Sequence, residues 1–441
     1  MAGLVVSIAA ASCSGRARTD SGTEAGSGGA LAGAGGSLNG GAGQGGTSGA
    51  PSSAGSAGSA GSTLAAGDGG ASGAIDEDGG AGGMGGAADE LEPIVGPHPY
   101  RALQIAVGRD HTCALLEDHR VKCWGRNSYG QLGYGDAVWR GLDPAQMGDA
   151  LPFVDLGTDH TAKAIAAGRY TSCAILDDDS VKCWGYDLFF GIGNVGDEPG
   201  EMGDHLKPVP LGPGQTAKAV SIGYEDGCIV RNDDGFICDV NASPIWPRPA
   251  TPGVHFAGVS VEYYGVVALY SDGTAWDVTP SSGAGAQVPA DDRSGLRLIA
   301  GSRTSRCSYF NDQQLVCAGP VVESTVPASK LPSQLPELHA MALAEWGELC
   351  GILDHGRVHC WGPILGSSWT PVLADNSIEV PLAAPAKDVQ SRAYNYTCAL
   401  LRTGAVECWS WNREPNAPGI GWDDTGATEL ETVDLGIAPG Q

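Results

Sequence analysis

Twelve of the 13 cysteines in this 441-residue chain fall into six pairs, and the two members of every pair lie ten positions apart. Cysteines can bind zinc, act as nucleophiles or form disulfides. Zinc sites use much closer spacing, with a second pair nearby, so the interval of ten favours disulfides. The predicted disulfide cysteines are Cys113 with Cys123, Cys173 with Cys183, Cys228 with Cys238, Cys307 with Cys317, Cys350 with Cys360, and Cys398 with Cys408.

Each interval between paired cysteines has the pattern of a β-hairpin. In the first, the apolar residues 114–116 precede the polar turn 117–120, and Val121 follows the turn. The sixth and seventh turns contain Gly356 and Gly404. Opposed residues of an antiparallel pair have Cα atoms about 4.5–5.5 Å apart, which a disulfide can bridge. We therefore expect one disulfide inside each hairpin, and disulfides in this number indicate an oxidising compartment.

A further unit without cysteines fills the long gap between Cys238 and Cys307. Residues 267–277 repeat the strand, turn and strand, with Val267 and Asp277 at the two cysteine positions. The resulting seven units average roughly 50 residues, the length of a four-stranded propeller blade. Another short apolar strand precedes each hairpin, and no long helical periodicity is present. The sequence predicts an all-β, seven-bladed β-propeller.

The first two units continue after the hairpin with glycine-rich segments. Residues 124–133 read Trp-Gly-Arg-Asn-Ser-Tyr-Gly-Gln-Leu-Gly, and Trp184-Gly185 begins the second segment. This resembles the regulator-of-chromosome-condensation repeat, whose hallmark is Gly-x-Asn-x-x-Gly-Gln-Leu-Gly. The resemblance covers about residues 102–436, is strongest in units one and two, and implies a seven-bladed propeller. Units three, four and five have Asp239, Val278 and Ala318 at the tryptophan position, so we expect irregular blades there.

The two ends of the propeller carry matching segments. Residues 153–157 end unit one with Phe-Val-Asp-Leu-Gly and lead into unit two. The chain's last segment, residues 432–436, reads Thr-Val-Asp-Leu-Gly, and no unit follows it. Unit one lacks such a segment before its first strand. We therefore expect the C-terminal strand to pair into the first blade and close the ring, which protects an exposed sheet edge.

The N-terminus has the features of an export signal. Residues 2–11 are apolar and too few to span a bilayer, and Ala11-Ser12-Cys13 resembles a bacterial lipobox. On this resemblance, residues 1–13 are a signal peptide and Cys13 is acylated. Ser14 is typical of outer-membrane lipoproteins, so we expect a protein of the outer membrane or cell surface that contacts the membrane only through its lipid. The alternative is an ordinary cleaved signal peptide and a secreted or periplasmic protein.

Residues 14–96 form a low-complexity linker. Positions 14–90 contain 27 glycines and no aromatic residue. Such a segment cannot bury enough apolar surface to offset the entropy of ordering, so we expect a disordered tether. Its root-mean-square reach is roughly 50 Å. Residues 97–441 are then the propeller.

Composition and motifs argue against several functions. The net charge of −26 opposes nucleic-acid binding, which needs a basic surface. The glycine-rich runs lack the Gly-Lys-Ser/Thr of a phosphate loop, and the nine histidines show no metal-ligand spacing. We expect no catalytic residues, no metal and no cofactor. His111 is expected to be a strand residue.

Two acidic loops are the candidate binding loops, because long loops on rigid scaffolds commonly carry function. Both end in Met-Gly-Asp, at Met147 and Met202. The alternatives are purely structural turns and, less favoured, calcium sites. The candidate binding residues are Trp139, Arg140, Asp143, Asp149, Asp197, Glu198, Glu201 and Asp204.

The expected function is that of a monomeric, non-enzymatic binding or scaffolding module of the cell envelope, with a protein or glycan partner. One alternative is an inhibitor or regulator of a cell-wall enzyme, by similarity to secreted β-lactamase-inhibitory propellers, which should show a face rich in exposed aromatics. A propeller hydrolase or lyase is less favoured. Guanine-nucleotide exchange, as in the eukaryotic namesake, is disfavoured because export and disulfides separate the chain from cytosolic GTPases.

Overall fold

A computed structural model describes residues 97–186, 190–223, 227–238, 254, 256–261, 266–277, 286–287, 296–301, 305–318, 335, 337–344, 347–362, 377–391, 396–410 and 430–438. The predicted signal peptide, Cys13 and the linker lie outside these residues. The described part is an all-β propeller in which each of the seven sequence units forms one antiparallel sheet. None of the described residues belongs to a helix that is long and apolar enough to cross a membrane.

The strands follow one another in the same order in every sheet, from the innermost strand outwards. Unit one has β2 (Ala102–Val107), β3 (His111–Leu116) and β4 (Val121–Gly125), and unit two has β5 (Ala162–Ala167), β6 (Thr171–Leu176), β7 (Val181–Tyr186) and β8 (Asn194–Val195). Unit three has β9 (Ala217–Ile222), β10 (Gly227–Arg231) and β11 (Phe236–Ile237), and unit four has β12 (Phe256–Val261), β13 (Val266–Tyr270), β14 (Ala275–Asp277) and β15 (Ala286–Gln287).

Unit five has β16 (Leu296–Gly301), β17 (Arg306–Phe310) and β18 (Leu315–Ala318), and unit six has β19 (Ala340–Leu343), β20 (Leu349–Ile352), β21 (Val358–Trp361) and β22 (Ile378–Glu379). Unit seven has β23 (Ala386–Ser391), β24 (Tyr396–Leu401), β25 (Val406–Ser410) and β26 (Glu431–Thr432). Strands β1 (His98–Pro99) and β27 (Ile437–Ala438) form a separate pair. Short 3-10 turns occur at Pro144–Gln146, Gly148–Ala150, Gly203–His205 and Asp354–Gly356.

All six predicted disulfides are present and each closes its own hairpin. Their Cα atoms lie 4.0–4.1 Å apart, and Cys113 stands directly opposite Cys123 in the β3–β4 register. The cysteine-free unit was also identified correctly, because Val267 pairs with Asp277. Unit four has four strands within the described residues. Asp239 and Val278 lie outside them, and Ala318 ends β18.

The turn between the two strands of each hairpin has a left-handed residue six positions after the first cysteine or its replacement, and in unit six the preceding residue, His355, is left-handed as well. The φ of the residue at the sixth position lies between 62° and 85° in all seven units. The carbonyl of this residue also links neighbouring units: Ala162 N donates to His119 O at 2.9 Å, and Ala102 N donates to Gly404 O at 2.7 Å. The seven residues are His119, Asp179, Asp234, Gly273, Gln313, Gly356 and Gly404.

The apolar core lies between neighbouring blades. Trp124 packs at the interface of units seven and one with Tyr396 and Leu435, and Trp184 packs between units one and two with Leu132 and Leu156. All six side chains are buried. We call these two interfaces the seven–one seam and the one–two seam.

The described N-terminal and C-terminal segments pair with each other, as predicted, but in a separate two-stranded sheet and not within the sheet of unit one. The C-terminal strand that pairs with the N-terminal strand is β27, just beyond the Val433–Gly436 segment, and Ala438 stands opposite His98. The segment itself bonds to both neighbours, because Val433 N donates to Val406 O of unit seven and Gly436 O accepts from Tyr100 N.

Candidate binding face

The inner turns of units one and two meet on one face of the propeller. Strand β2 runs towards this face, the turn after it is residues 108–110, and the equivalent turn of unit two is residues 168–170. Arg109 N donates to Gly168 O at 3.0 Å, so the first turn rests on the second. A Cβ atom at Gly108 would stand 2.6 Å from Gly168 O, so only glycine permits this approach.

Three tyrosines from separate segments come together at these turns. Tyr170 lies in the inner turn of unit two, Tyr186 ends β7, and Tyr129 comes from the glycine-rich segment of unit one. The ring centroid of Tyr129 is 4.7 Å from that of Tyr170 and 5.4 Å from that of Tyr186. All three rings are half-buried. Tilted contacts of this kind stabilise aromatic pairs beyond the area that they bury.

Arginines border the tyrosines. Arg109 Nη1 donates to the Tyr170 hydroxyl at 3.1 Å, and the Arg169 guanidinium lies 4.7 Å from the centroid of the same ring. Arg126 lies 3.6 Å from the Asp110 carboxylate. We define the aromatic–arginine cluster as Tyr129, Tyr170, Tyr186, Arg109, Arg126, Arg169 and Asp110.

An exposed apolar loop adjoins the cluster. Trp139 Nε1 donates to Ser128 Oγ at 3.2 Å, and the Arg126 guanidinium lies 5.1 Å from the tryptophan ring. Val138 is 58% exposed and Leu142 is 38% exposed. These are two of the three large hydrophobic side chains that are exposed in the described part of the chain. The loop therefore extends the cluster with apolar surface.

The Gly-x-Asn-x-x-Gly-Gln-Leu-Gly motif holds Tyr129 in place. Gln131 O accepts hydrogen bonds from Ser172 Oγ at 2.8 Å and from Trp184 Nε1 at 3.0 Å. Gly133 has a φ of 74°, and a Cβ atom there would stand 2.7 Å from Trp184 Nε1. The motif thus packs as a wedge between blades one and two. Its glycines lie in turns, as expected from the sequence. His111, as predicted, is a buried strand residue, with Nε2 2.8 Å from Ser172 Oγ.

Of the predicted binding residues, Arg140 has a clear local role. Its guanidinium pairs with the Asp136 carboxylate at 2.7 Å and lies 4.5 Å from the Tyr134 ring centroid. The hydrogen bond from Arg140 lowers the pKa of Asp136. Burial raises the pKa of Tyr134, whose hydroxyl donates to Cys123 O at 2.7 Å. Arg140 therefore fixes the base of the Trp139 loop.

The remaining candidate acidic residues separate into two groups. Asp143 Oδ1 accepts from Ala145 N and begins a 3-10 turn. Glu201 Oε2 accepts from Gly196 N at 2.7 Å and Glu198 N at 3.1 Å. The loop that carries Glu198 and Glu201 also contains half-buried Asp197. This loop contacts unit one, where Gly135 N donates to Gly196 O.

Asp149 and Asp204 form the second group and lie at the seams. Asp149 Oδ1 accepts from Ile437 N at 2.8 Å, and Asp204 Oδ1 accepts from Thr158 N at 2.7 Å. The hydrogen bonds from Thr158 lower the pKa of Asp204. These two carboxylates fasten incoming chain segments, away from the aromatic–arginine cluster.

The polypeptide enters the propeller on the face opposite the cluster. Glu117, in the β3–β4 turn, lies 2.8 Å from His98 Nε2 and accepts from Arg101 Nε at 2.7 Å. Antiparallel strands place the β3–β4 turn at the end of the sheet opposite the β2–β3 turn, which carries Arg109. The two faces therefore differ: one receives the N-terminal segment, and the other presents tyrosine and arginine.

Within the described ranges, two groups of three residues place potential metal-ligand atoms together. Glu348, Cys350 and Cys360 form the first, but its two cysteines are joined in a disulfide and supply no thiolate. The second is His160, Asp177 and Asp178, where His160 Nδ1 lies 2.9 Å from Asp177 Oδ1. This second group is on the surface, on the face that receives the N-terminal segment.

Sequence reasoning missed the tyrosines and arginines of the cluster. One signal for them exists, because the inner turns of units one and two both begin Gly-Arg, at Gly108 and Gly168. The spacing along the chain does not reveal that Tyr129 joins them.

Comparisons with known proteins agree with this architecture. The sequence profile of the regulator of chromosome condensation (RCC1) repeat matches residues 103–131 and 162–190. Ultraviolet-B receptor UVR8 of Arabidopsis thaliana is 33% identical over 129 residues, 28% of this chain and 25% of that protein. Probable E3 ubiquitin-protein ligase HERC4 of Homo sapiens is 32% identical over 93 residues, 21% of this chain and 8% of that protein. This chain thus spans a quarter or less of the length of these relatives.

Among solved structures, human WBSCR16 superposes with a TM-score of 0.50 at 14% identity, over 71% of this chain and 88% of that one. At this identity the likeness concerns the fold alone.

Proposed function

We propose that this chain, a β-propeller of the regulator-of-chromosome-condensation repeat family, is an exported protein-binding module whose partner docks on the aromatic–arginine cluster. Propellers with these repeats act as protein-binding modules, so the fold supports binding rather than chemistry. The observation that carries the proposal is the position of the cluster, on the face opposite the one that receives the N-terminal segment.

The composition of the cluster supports docking at this place. Tyrosine, tryptophan and arginine are the residues most enriched among those that dominate binding energy in protein interfaces. Tyr129, Tyr170 and Tyr186 are held by packing and by the wedge motif. Rigid side chains lose little entropy on binding, which favours affinity.

The disulfides support the export part of the proposal. Six disulfides suit an oxidising compartment. Together with the lipobox-like end at Cys13 and the glycine-rich linker, they favour a lipid-anchored scaffold of the outer membrane or cell surface. The binding loops with Trp139, Arg140, Asp197, Glu198 and Glu201 would border the docked partner.

Site-specific photo-crosslinking in the native envelope tests the docking face. A photoreactive p-benzoylphenylalanine in place of Tyr129 should form a specific adduct. The matched control carries the same group in place of Asp178, which is exposed on the opposite face. Adducts at both positions alike, or only at position 178, would contradict the proposed face. Mass spectrometry of the digested adduct distinguishes a protein partner from a glycan, because the peptide that carries position 129 is then joined either to a second peptide or to a sugar.

Thiol counting and peptide mapping on protein from the native envelope test export and anchoring. We expect six intra-hairpin disulfides and an acylated Cys13. An unacylated chain that begins beyond Cys13 would support the secreted or periplasmic alternative. Free thiols at the paired positions with an unprocessed Met1 would refute export and revive a cytosolic role such as nucleotide exchange.

One observation favours a second candidate, inhibition or regulation of a cell-wall enzyme. Such an inhibitor should display aromatic residues on one face, and Tyr129, Tyr170, Tyr186 and Trp139 share a face here. The two candidates differ in the identity of the crosslinked protein. If the adduct contains a cell-wall enzyme, adding the propeller should lower that enzyme's activity.

A further inference from the structure

Three side chains of metal-ligand type meet on the surface of unit two. The potential ligand atoms of His160, Asp177 and Asp178 all lie within 4.8 Å of one another, and the two aspartates are exposed. His160 Nδ1 lies 2.9 Å from Asp177 Oδ1. Zinc holds nitrogen and oxygen ligands at about 2.0–2.2 Å, so its ligand atoms lie about 4 Å or less apart. Small side-chain rotations therefore suffice to bring all three residues, which we call the His160 triad, around one ion.

The two segments that carry the triad are fixed to each other. Asp177 N donates to Thr161 O at 3.0 Å, which ties the hairpin turn of unit two to the start of β5. Ser180 N donates to Asp178 Oδ1 at 2.9 Å and orients that carboxylate. The hydrogen bond from His160 lowers the pKa of Asp177, and hydrogen bonds from Ser180 lower the pKa of Asp178. Both carboxylates are therefore ionised at neutral pH, the form that binds a cation.

Unit one shows how the equivalent carboxylates are neutralised in a neighbouring blade. Cys173 follows Cys113 by 60 positions, and the two units keep the same strand register. Each carboxylate of the unit-one turn pairs with an arginine, because Arg101 Nε lies 2.7 Å from Glu117 Oε2 and the Arg120 guanidinium lies 2.6 Å from the other carboxylate. The two acidic positions of this turn thus have two guanidinium groups beside them.

Unit two keeps the two carboxylates but not the two arginines. Thr161 and Ser180 stand at the arginine positions, and His160 stands where unit one has a tyrosine. Lys163, the nearby ammonium group, pairs with Asp179 at 2.6 Å. The triad therefore has less positive charge beside its two carboxylates than unit one has at the same place. A divalent cation would supply the charge that the guanidinium groups supply in unit one.

We propose that the His160 triad is a binding site for a divalent transition-metal cation such as zinc. An imidazole nitrogen and two carboxylate oxygens suit zinc, with water completing its coordination. Calcium takes about six to eight oxygen ligands, so we expect it to bind much more weakly. The ion would join the segment that enters β5 to the hairpin turn of the same unit. Histidine spacing along the chain gives no sign of this site, because its ligands come from two segments.

Calorimetric titration of the untagged, EDTA-treated full chain with zinc chloride tests the site. We expect saturable binding, which His160→Gln should weaken by at least about tenfold. The matched control is His339→Gln, which removes an exposed histidine that lies 3.7 Å from the carboxylate of Asp354 and should leave the Kd unchanged. X-ray absorption at the zinc edge should show imidazole and oxygen ligands without sulfur, which distinguishes the triad from a cysteine thiolate.

A variant that keeps all three ligands tests the comparison with unit one. Thr161→Arg combined with Ser180→Arg copies the two arginines of that unit, and guanidinium groups paired with the carboxylates should raise the Kd for zinc by about tenfold. The control for added charge is Ala383→Arg combined with Thr403→Arg, at exposed positions of unit seven, which should leave the Kd nearly unchanged. Equal melting temperatures without metal and equal disulfide counts show that the variants are folded.

Three results would overturn the proposal. The first is equal zinc affinity of the native chain and His160→Gln. The second is equal affinity of the native chain and the Thr161→Arg, Ser180→Arg variant, and the third is calcium binding as tight as zinc binding. The metal site is independent of the docking face, so these titrations leave the crosslinking result at position 129 unaffected.

Discussion

The one–two seam and the seven–one seam use the same chemistry at the same positions. At the one–two seam, the Lys182 ammonium donates to Leu156 O at 2.8 Å and to a second carbonyl in the next loop. At the seven–one seam, the Lys122 ammonium donates to Leu435 O at 2.8 Å and likewise to a second carbonyl. Leu156 and Leu435 hold the same place in the repeated Val-Asp-Leu-Gly segment.

The carboxylates at the two seams match as well. Asp204 accepts from the first residue after one Val-Asp-Leu-Gly segment, Thr158, and Asp149 accepts from the first residue after the other, Ile437. The seams differ in chain continuity. The segment at the one–two seam continues directly into β5, whereas the segment at the seven–one seam comes from the far end of the chain. Every disulfide lies within a hairpin, so none crosses either seam.

The same local contacts therefore differ in how much entropic cost of chain closure they must offset. At the one–two seam the covalent chain keeps the segment close even when its hydrogen bonds open. At the seven–one seam the segment must be brought back through a loop of several hundred residues, whose closure has an entropic cost. The noncovalent contacts alone offset that cost. We therefore expect perturbations of equal chemistry to destabilise the seven–one seam more.

Deletion of residues 431–441 should have the largest effect. It removes β26, β27 and the buried side chains of Val433 and Leu435, each worth about 1.5–3 kcal/mol by burial. We expect loss of the cooperative unfolding transition in scanning calorimetry. Deletion of residues 439–441 alone is the control and should retain the transition. A cooperative transition near the native temperature in the longer deletion would show that closure contributes little.

Gly133→Ala, which perturbs the one–two seam, should have the second-largest effect on stability. The new Cβ would stand 2.7 Å from Trp184 Nε1, in addition to the cost of a left-handed φ of 74°. The matched control is Gly193→Ala, which has a φ of 78° but no atom near its Cβ. The control should lose only about 1–2 kcal/mol from the left-handed backbone. In urea unfolding, the free energy of unfolding should fall clearly further for Gly133→Ala than for Gly193→Ala. Equal losses would show that the Trp184 side chain moves aside without a cost in stability.

Lys122→Met and Lys182→Met compare the seams directly. Each removes an ammonium group and leaves two buried carbonyls without that donor, at a cost of about 1–3 kcal/mol. Burial lowers the pKa of Lys122, so part of this cost is offset by no longer burying a charge. We expect the Lys122 variant to be the less stable of the two in urea unfolding. Equal stabilities would contradict the proposed role of chain continuity.

Circular permutation should have the smallest effect on stability and is the sharpest test. His98 stands opposite Ala438, so a short glycine-serine linker can join residue 438 to residue 97. New ends between Asp159 and His160 open the one–two seam instead. The permutant should keep its fold, since the closure cost is moved rather than added. In the permutant, Lys182→Met should then be less stable than Lys122→Met. If Lys122→Met is still the less stable variant, local packing and not chain continuity determines the difference in stability.

The hairpins were predictable because their information is local. A spacing of ten places Cys113 opposite Cys123, and the turn pattern of residues 267–277 identifies unit four without any cysteine. Ring closure was predictable for a different reason, since the repeated Val-Asp-Leu-Gly segment bonds in the same way wherever it lies. Its pairing strand, Ile437–Ala438, was not identified, because two residues carry too little pattern.

The aromatic–arginine cluster was not predictable, because it depends on how two blades pack. Tyr129, Tyr170 and Tyr186 come from three segments, and only the wedge between the blades brings their rings together. From the sequence alone, the repetition of Met-Gly-Asp at Asp149 and Asp204 suggests binding loops. Their hydrogen bonds at the seams give this repetition a structural reason, while their contact with a partner stays a prediction.

The six disulfides also determine how the chain can mature. Each cysteine is bonded to its nearest neighbour along the sequence, first with second and third with fourth throughout the propeller. Each bond can therefore form as soon as its hairpin has emerged, before later cysteines are available as competitors. Correct pairing then needs an oxidant but no thiol-disulfide reshuffling by an isomerase. Emergence of the chain from its N-terminus into an oxidising compartment would favour this connectivity over the many others that twelve cysteines allow.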